Sequence, residues 1–340
     1  MTVAPGPEFV VLTGFLGSGK TTLLRDFLEG PEAHDTAIIV NEAGEIGLDG
    51  LILRQEGDDT PIAMLSNGCI CCQAGSDLAF TIDRLLTAER PDATGPLCRI
   101  VLETSGLSMP SPVLRQLASL AAHRLRVSVL ATYDATRGLS VAGFEEAAAQ
   151  WAAAHRIVVT KVDSVSPEGL ARAATEIAGV NPMAEIVATA DRACAVSAAF
   201  APLGNAAPIP VPLPVAVQAE HPRVGVRLAR PTGVLAYDAL AAWLDNLAGA
   251  LGERLLRLKG LVQVAGIDRP VLVQSVGSVF SPPRPFGPSR AETQAFLVII
   301  ARDLQAAELE AVAPVGLFVF SPWSEAASVP RTAALGRPLA

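Results

Sequence analysis

Lysine is almost missing from this chain. Among 340 residues only Lys20, Lys161 and Lys259 are lysine, and every other basic residue is arginine. Such pressure against lysine makes the three survivors poor candidates for surface filler. Lys20 in particular has a chemical reason to persist, because a guanidinium is too broad and rigid to thread into a phosphate cage. No lysine or arginine cluster occurs and the formal net charge is −8, which excludes the concentrated basic patch that nucleic acid or an anionic membrane surface requires. No apolar run reaches membrane-spanning length, and the longest candidates, such as residues 295–301, fit a buried strand. The N-terminus shows no basic stretch followed by an apolar run and a small-residue cleavage site. The chain is therefore expected in the cytoplasm, with neither a membrane nor a nucleic acid as partner.

What is present is dominated by one motif. Residues 14–21 read Gly-Phe-Leu-Gly-Ser-Gly-Lys-Thr, a complete G-x-x-x-x-G-K-[ST] phosphate loop between an apolar run (Phe9, Val10, Val11, Leu12) and a helix-like segment at 23–28. Gly14, Gly17 and Gly19 permit the backbone angles that aim successive N–H groups inward, and the next helix adds its positive end, so the loop suits a polyphosphate. Ser18 within the loop and Thr22 just after it are expected to bind the nucleotide as well. Lys20 is expected on the β- and γ-phosphates and Thr21 on magnesium.

With 50% hydrophobic residues, the chain has enough apolar surface for a large core and for two domains. The first 200 or so residues alternate short apolar runs, at 37–40, 100–102, 127–131 and 157–159, with amphipathic stretches. That pattern predicts an α/β domain over 1–205 built on a mostly parallel sheet. A proline-rich segment predicts a linker at 206–218. A smaller α+β domain is expected over 219–314, with strands near 223–228, 261–265, 271–276 and 296–300 and helices at 237–251 and 306–312. Residues 315–340, rich in proline, alanine and serine, read as a C-terminal tail.

The strands of the first domain end where chemistry begins. Val40 leads into Asn41-Glu42, Leu102 into Glu103-Thr104-Ser105-Gly106, and Val159 into Thr160-Lys161-Val162-Asp163. In open α/β sheets the ligand crevice lies outside the carboxyl ends of the strands, so these residues are expected to converge on the phosphate loop. Glu103 is placed to hold magnesium directly or through water, and Gly106 to offer an N–H to a γ-phosphate. Asp163 can accept hydrogen bonds from N1–H and the exocyclic amine of guanine, which adenine cannot offer, and Lys161 can lie along the purine ring. Thr160 stands where the common guanine motif has asparagine. Ser197 is expected in a second base-contacting loop. The plainer reading of Asp163 is a turn cap.

Three of the five cysteines, Cys69, Cys71 and Cys72, fall within four residues after Asn67-Gly68. In a cytosolic chain that is poor disulfide material, and neighbouring thiols suit a borderline-soft divalent ion such as Zn²⁺, with a fourth position left open. The alternatives are buried small hydrophobes or a Cys69/Cys72 redox pair. Cys98 and Cys194, isolated, read as core residues. Residues 41–50, dense in acids and glycines, read either as a solvated turn or as a switch whose Glu42 serves magnesium and whose Glu42 and Glu45 serve the transition metal.

Taken together, GFLGSGKTT at 14–22, NEAGEIGLDG at 41–50, GCICC at 68–72, ETSGL at 103–107 and TKVD at 160–163 resemble the CobW-like metallochaperone GTPases, relatives of the nickel-inserting urease and hydrogenase accessory GTPases. The similarity continues through LLRLKG at 255–260 and VQSV at 273–276, covering roughly 8–313. It implies a P-loop GTPase domain that uses Lys20, Thr21 and Glu103 in GTP hydrolysis. It also implies that Cys-x-Cys-Cys binds a divalent transition metal, zinc before cobalt, for delivery to a client metalloprotein or cofactor-synthesis enzyme. A homodimer is compatible with this reading. Many relatives carry a histidine-rich stretch, whereas this chain has only His34, His123, His155 and His221, which speaks against metal storage. An aromatic is usual where Ala43 stands. No arginine or glutamine with the placement of a finger in cis stands out in the motifs, so intrinsic turnover is expected to be slow and open to acceleration by a client. The competing readings are a nucleotide-binding metal sensor or scaffold that does not turn GTP over, and a GTPase with a thiol switch.

Overall fold

The computed structural model describes residues 6–41, 62–65, 76–88, 96–141, 143–203, 223–286 and 295–323. These fall into two compact units, the first reaching residue 203 and the second starting at 223. The expected linker at 206–218 lies outside the described residues. Among the described residues no helix is long and apolar enough to cross a membrane.

In the first unit the chain runs β1 (Glu8–Gly14), α1 (Lys20–Leu28), β2 (Thr36–Asn41), β3 (Ile62–Leu65), α2 (Ser76–Thr87), β4 (Arg99–Glu103) and α3 (Pro110–Leu117). It continues as β5 (Arg126–Asp134), α4 (Glu145–Ala153), β6 (Arg156–Thr160), α5 (Pro167–Val180), β7 (Glu185–Val187) and α6 (Arg192–Phe200). The seven strands lie in the order β3-β2-β4-β1-β5-β6-β7, and each neighbouring pair is parallel. β1 is buried along its whole length, as a central parallel strand covered on both faces must be. The chain leaves β1 through α1 toward β2, on the β4 side, and later crosses past β1 from β4 to β5, so the winding reverses at β1 and a crevice opens at its carboxyl end. Phe27 of α1 stacks on Phe200 of α6 with ring centres 4.0 Å apart. Val10, Leu12, Leu24, Ile38 and Leu130 complete the core on that face.

The loop expected around Ser197 is instead helix α6. Asp191 caps it by accepting from the Cys194 N–H at 3.0 Å, and the alanine-rich run that follows is a strong helix former. Cys98 and Cys194, read as core residues, are both exposed. Cys98 precedes β4, and Cys194 sits on the outward side of the first turn of α6.

The second unit contains β8 (Val224–Pro231), α7 (Tyr237–Leu251), β9 (Leu255–Val262), β10 (Val271–Val276), β11 (Val279–Phe280), β12 (Arg284–Pro285), β13 (Phe296–Arg302), α8 (Ala306–Val312) and β14 (Phe318–Pro322). The sheet order is β11-β10-β9-β13-β8-β14, with β12 also on β10, and the strand pairs are antiparallel. Leu240, Trp243, Leu244 and Leu247 of α7 pack with Leu258, Val273, Leu297 and Ile299 in one core. Two sequence readings shift here. The strand expected at 261–265 lies at Leu255–Val262, because Arg257 and Lys259 are inside the sheet and break the apolar pattern that would have announced it. The expected tail at 315–340 opens with β14, whose Phe318 packs on Trp243 with ring centres 4.2 Å apart.

Arg257 is 1% and Lys259 5% exposed, on the same face of β9. Burial, with the like charges of Arg257 and Arg284, pushes the Lys259 ammonium from its ordinary 10.5 down to about 7. Between those values the folded chain binds fewer protons than the unfolded chain, so stability rises with pH across the window, and the full cost is present below pH 7. Lys259→Met is therefore expected to raise the melting temperature by about 5 °C or more at pH 6.5. The gain should shrink toward pH 10. Parallel wild-type and variant profiles in thermal melts from pH 6 to 10 would show that the buried ammonium carries no such cost.

Candidate nucleotide site

The phosphate loop joins β1 to α1. Gly17 and Gly19 hold φ of +70° and +92°, left-handed values that admit no ordinary side chain without strain. The Ser18 N–H closes the turn on the Phe15 carbonyl at 3.1 Å. Inside the loop the Lys20 ammonium donates to the Gly14 and Phe15 carbonyls at 2.8 and 3.3 Å, and the residue is only 9% exposed. The loop is tied to two strands beside it. Ser18 Oγ lies 2.6 Å from Thr132 Oγ1 of β5. Thr160 at the end of β6 donates to the Ser18 carbonyl at 2.8 Å and to the Tyr133 carbonyl at 3.2 Å.

Thr21 donates to Glu103 Oε1 at 2.7 Å. β4 pairs with β1 so that Leu12 faces Glu103, and this register sets the buried carboxylate beside the first turn of α1. The fold thus brings together residues chosen from two separate motifs, Lys20 and Thr21 of the phosphate loop and Glu103 at the end of β4. A carboxylate and a hydroxyl are the hard oxygen donors that magnesium takes. Gly106 approaches the loop so closely that a Cβ there would stand 2.7 Å from the Leu16 N atom. Gln150 of α4, fully buried, fixes that turn by donating to the Gly106 and Ser108 carbonyls at 3.0 Å each.

Beyond the loop a cavity of about 370 Å³ is lined by Gly19, Thr22, Asp26, residues 158–164, Thr189, Ala190 and Arg192 among others, a size suited to a small ligand. Thr160, Lys161 and Asp163 all border it. Lys161 adopts φ +55° and its ammonium lies 2.5 Å from Asp134 Oδ2. Asp134 also accepts from the Thr136 N–H and hydroxyl at 2.9 and 2.6 Å. Burial opposes its ionisation, but the hydrogen bonds from Lys161 and Thr136 and the Lys161 charge outweigh that and hold the carboxyl below the usual range.

Ser197 does not reach this cavity. It lies on the exposed side of α6 and donates to Glu32 Oε1 at 3.0 Å. From that side the cavity is lined by Thr189 and Ala190, ahead of the helix, and by Arg192, Ala195 and Val196 of α6. Cys69, Cys71, Cys72, Glu42 and Glu45 lie outside the described residues. Among the described residues no group of three His, Cys, Asp or Glu could hold a metal ion. Sequence reasoning passed over Asp134, although β5 ends in an acid just as β4 does, so the rule that selected Glu103 would have selected it too. Arg137 carried no signal at all. Its Nη1 donates to the Leu16 carbonyl at 3.0 Å, a contact across 121 positions of the chain.

Residues 8–188 match the model of the CobW/HypB/UreG nucleotide-binding domain, and 227–312 match that of the cobalamin synthesis protein cobW C-terminal domain. The chain belongs to the CobW/HypB/UreG family. It is 31% identical over 328 residues to a Pseudomonas aeruginosa protein named zinc chaperone CobW, covering 82% of each chain. It is 28% identical over 320 residues to the Escherichia coli zinc chaperone YjiA, covering 88% of this chain and 96% of that one. The crystal structure of Zn(II)-bound YjiA GTPase from E. coli shares the fold, with a TM-score of 0.68 and 22% identity over 91% of this chain and 98% of that one. For this CobW-family member the strand order and the phosphate loop are thus those of a nucleotide-binding domain with a CobW C-terminal domain behind it.

Proposed function

We propose that this P-loop GTPase is a cytoplasmic zinc metallochaperone in which the nucleotide gates the grip on the metal. The observation that carries the reading is the contact of Thr21 with Glu103 next to the enclosed Lys20, in a loop whose Gly19 and Thr22 border a ligand-sized cavity, in a chain whose relatives are named zinc chaperones. The N–H groups of the loop and the Lys20 ammonium neutralise charge that builds on the β- and γ-phosphate oxygens as the terminal bond breaks. Thr21 and Glu103, with Glu42, would hold magnesium, which would supply positive charge against the same build-up. Asp163 recognises guanine, and the Lys161 stem, held by Asp134, forms a wall for the ring.

Zinc, or cobalt as second choice, is the cargo. Cys69, Cys71 and Cys72 bind it as thiolates with Glu42 and Glu45 within reach in sequence, and a client receives it. GTP favours the tight metal site and hydrolysis loosens it, so metal must strengthen GTP binding by the same factor.

Competition titration of zinc and cobalt against a calibrated chelator tests the gate, using protein alone, with GDP, and with a non-hydrolysable GTP analogue plus magnesium. The expected result is at least a tenfold gain in affinity with the analogue only, about 1.4 kcal/mol of coupling, and its loss in a triple Cys→Ser variant. Equal affinity in all three states removes gating. Affinity retained by the triple variant removes the cysteines as ligands.

A further inference from the structure

Arg137 is a charged residue beside the phosphate loop that neither the motifs nor the proposed function accounts for. It follows β5 in a turn whose backbone is fixed: its N–H donates to the Asp134 carbonyl at 3.2 Å, and its carbonyl accepts from the Ser140 N–H at 3.1 Å and hydroxyl at 2.5 Å. From this anchored position the side chain extends to the crest of the loop. Nη1 meets the Leu16 carbonyl at 3.0 Å, and both terminal nitrogens lie within 3.9 Å of where a Cβ on Gly17 would stand. Leu16 and Gly17 belong to the stretch whose backbone curls around a polyphosphate, four and three residues ahead of Lys20. The head of the arginine is also weakly committed. Its ion pair with Asp134 is long, 3.7 Å, and that carboxylate is already satisfied by Lys161 and Thr136. With 47% of its side chain exposed, the guanidinium faces solvent at the rim of the loop while its backbone is anchored.

A planar, permanently charged fork at the rim of a phosphate loop is the chemistry of an arginine finger, which stabilises charge spreading over the phosphoryl oxygens. We propose that Arg137 is such a finger supplied in cis, donating to the β,γ-phosphate region of bound GTP in the transition state. The proposal rests on the GTPase reading of the same loop. It gives the chain its own charge-stabilising residue, where the motifs alone suggested dependence on a client.

Single-turnover GTP hydrolysis is to be compared in wild type, Arg137→Ala and Arg137→Lys, alongside GDP affinity and the binding of GDP with aluminium fluoride and magnesium. In that complex the aluminium fluoride stands in for the phosphoryl group in flight. The expected result is a fall in kcat of about a hundredfold or more in both variants, GDP affinity within threefold of wild type, and loss of aluminium fluoride trapping. Guanidine hydrochloride at millimolar concentration should restore part of the turnover of Arg137→Ala. If Arg137 only buttresses Leu16, GDP and GTP affinities fall together and aluminium fluoride still binds to whatever GDP remains, and that outcome overturns the proposal. So does an unchanged kcat. Wild type that releases no phosphate in a Lys20-dependent way would overturn the GTPase reading itself, and this proposal with it.

Discussion

Lys20→Ala is expected to lower GTP turnover by about 10²- to 10³-fold or more, the scale of losing one preorganised donor to developing negative charge. The reason lies in the geometry of the loop. The ammonium is nearly enclosed and held on the Gly14 and Phe15 carbonyls, so it is set in advance where the phosphate charge develops. Lys20→Arg should fail almost as badly, because the guanidinium cannot fit where a compact ammonium sits among carbonyl oxygens. Phosphate release in single-turnover assays is the measurement, with thermal melts confirming that the variant is folded. Turnover within threefold of wild type would leave a nucleotide-binding protein whose loop does no chemistry.

Asp163→Asn is expected to exchange guanine for xanthine. A carboxylate accepts from both N1–H and the 2-amino group of guanine, whereas an asparagine amide accepts once and donates once, which matches N1–H and the 2-oxo group of xanthine. Two charge-assisted hydrogen bonds are at stake, so GTP affinity should fall about a hundredfold and XTP should bind better than GTP. The structure sharpens this expectation. Thr160, where asparagine is common, spends its hydroxyl on the Ser18 and Tyr133 carbonyls and so staples the loop to the sheet, and under the proposed function the reading of the base edge then falls to Asp163, which borders the cavity. Fluorescent GTP, ATP and XTP titrations decide the matter. Wild-type protein that binds ATP as tightly as GTP would remove the guanine assignment.

Much of this site was legible because its residues are local. Glycines at fixed spacing, a lysine in a chain nearly without lysine, and acids at strand ends are features a short window displays, and the fold sets Thr21 beside Glu103. What escaped was either non-local or locally misleading. Arg137 meets Leu16 only because β5 lies beside β1, and no window of sequence contains both. Ser197 was misplaced because Cys194, Ala195 and Val196 look like a short strand, while Asp191 in fact caps a helix through them. In β9, burial of Arg257 and Lys259 inverted the usual cue, since charge inside a sheet reads as exposure. Phe318–Pro322 looked like tail because five residues beside prolines announce nothing until β8 pairs with them.

The scarcity of lysine acquires a further meaning once the three are seen in place. Lys20 and Lys259 are enclosed, at 9% and 5% exposure, whereas the side chain of Lys161, at 41%, stands at the edge of the base cavity. Acylating reagents thus meet a single accessible side-chain amine, at the ligand's doorway. The chain carries a built-in one-site footprint whose shielding reports occupancy without any engineered label.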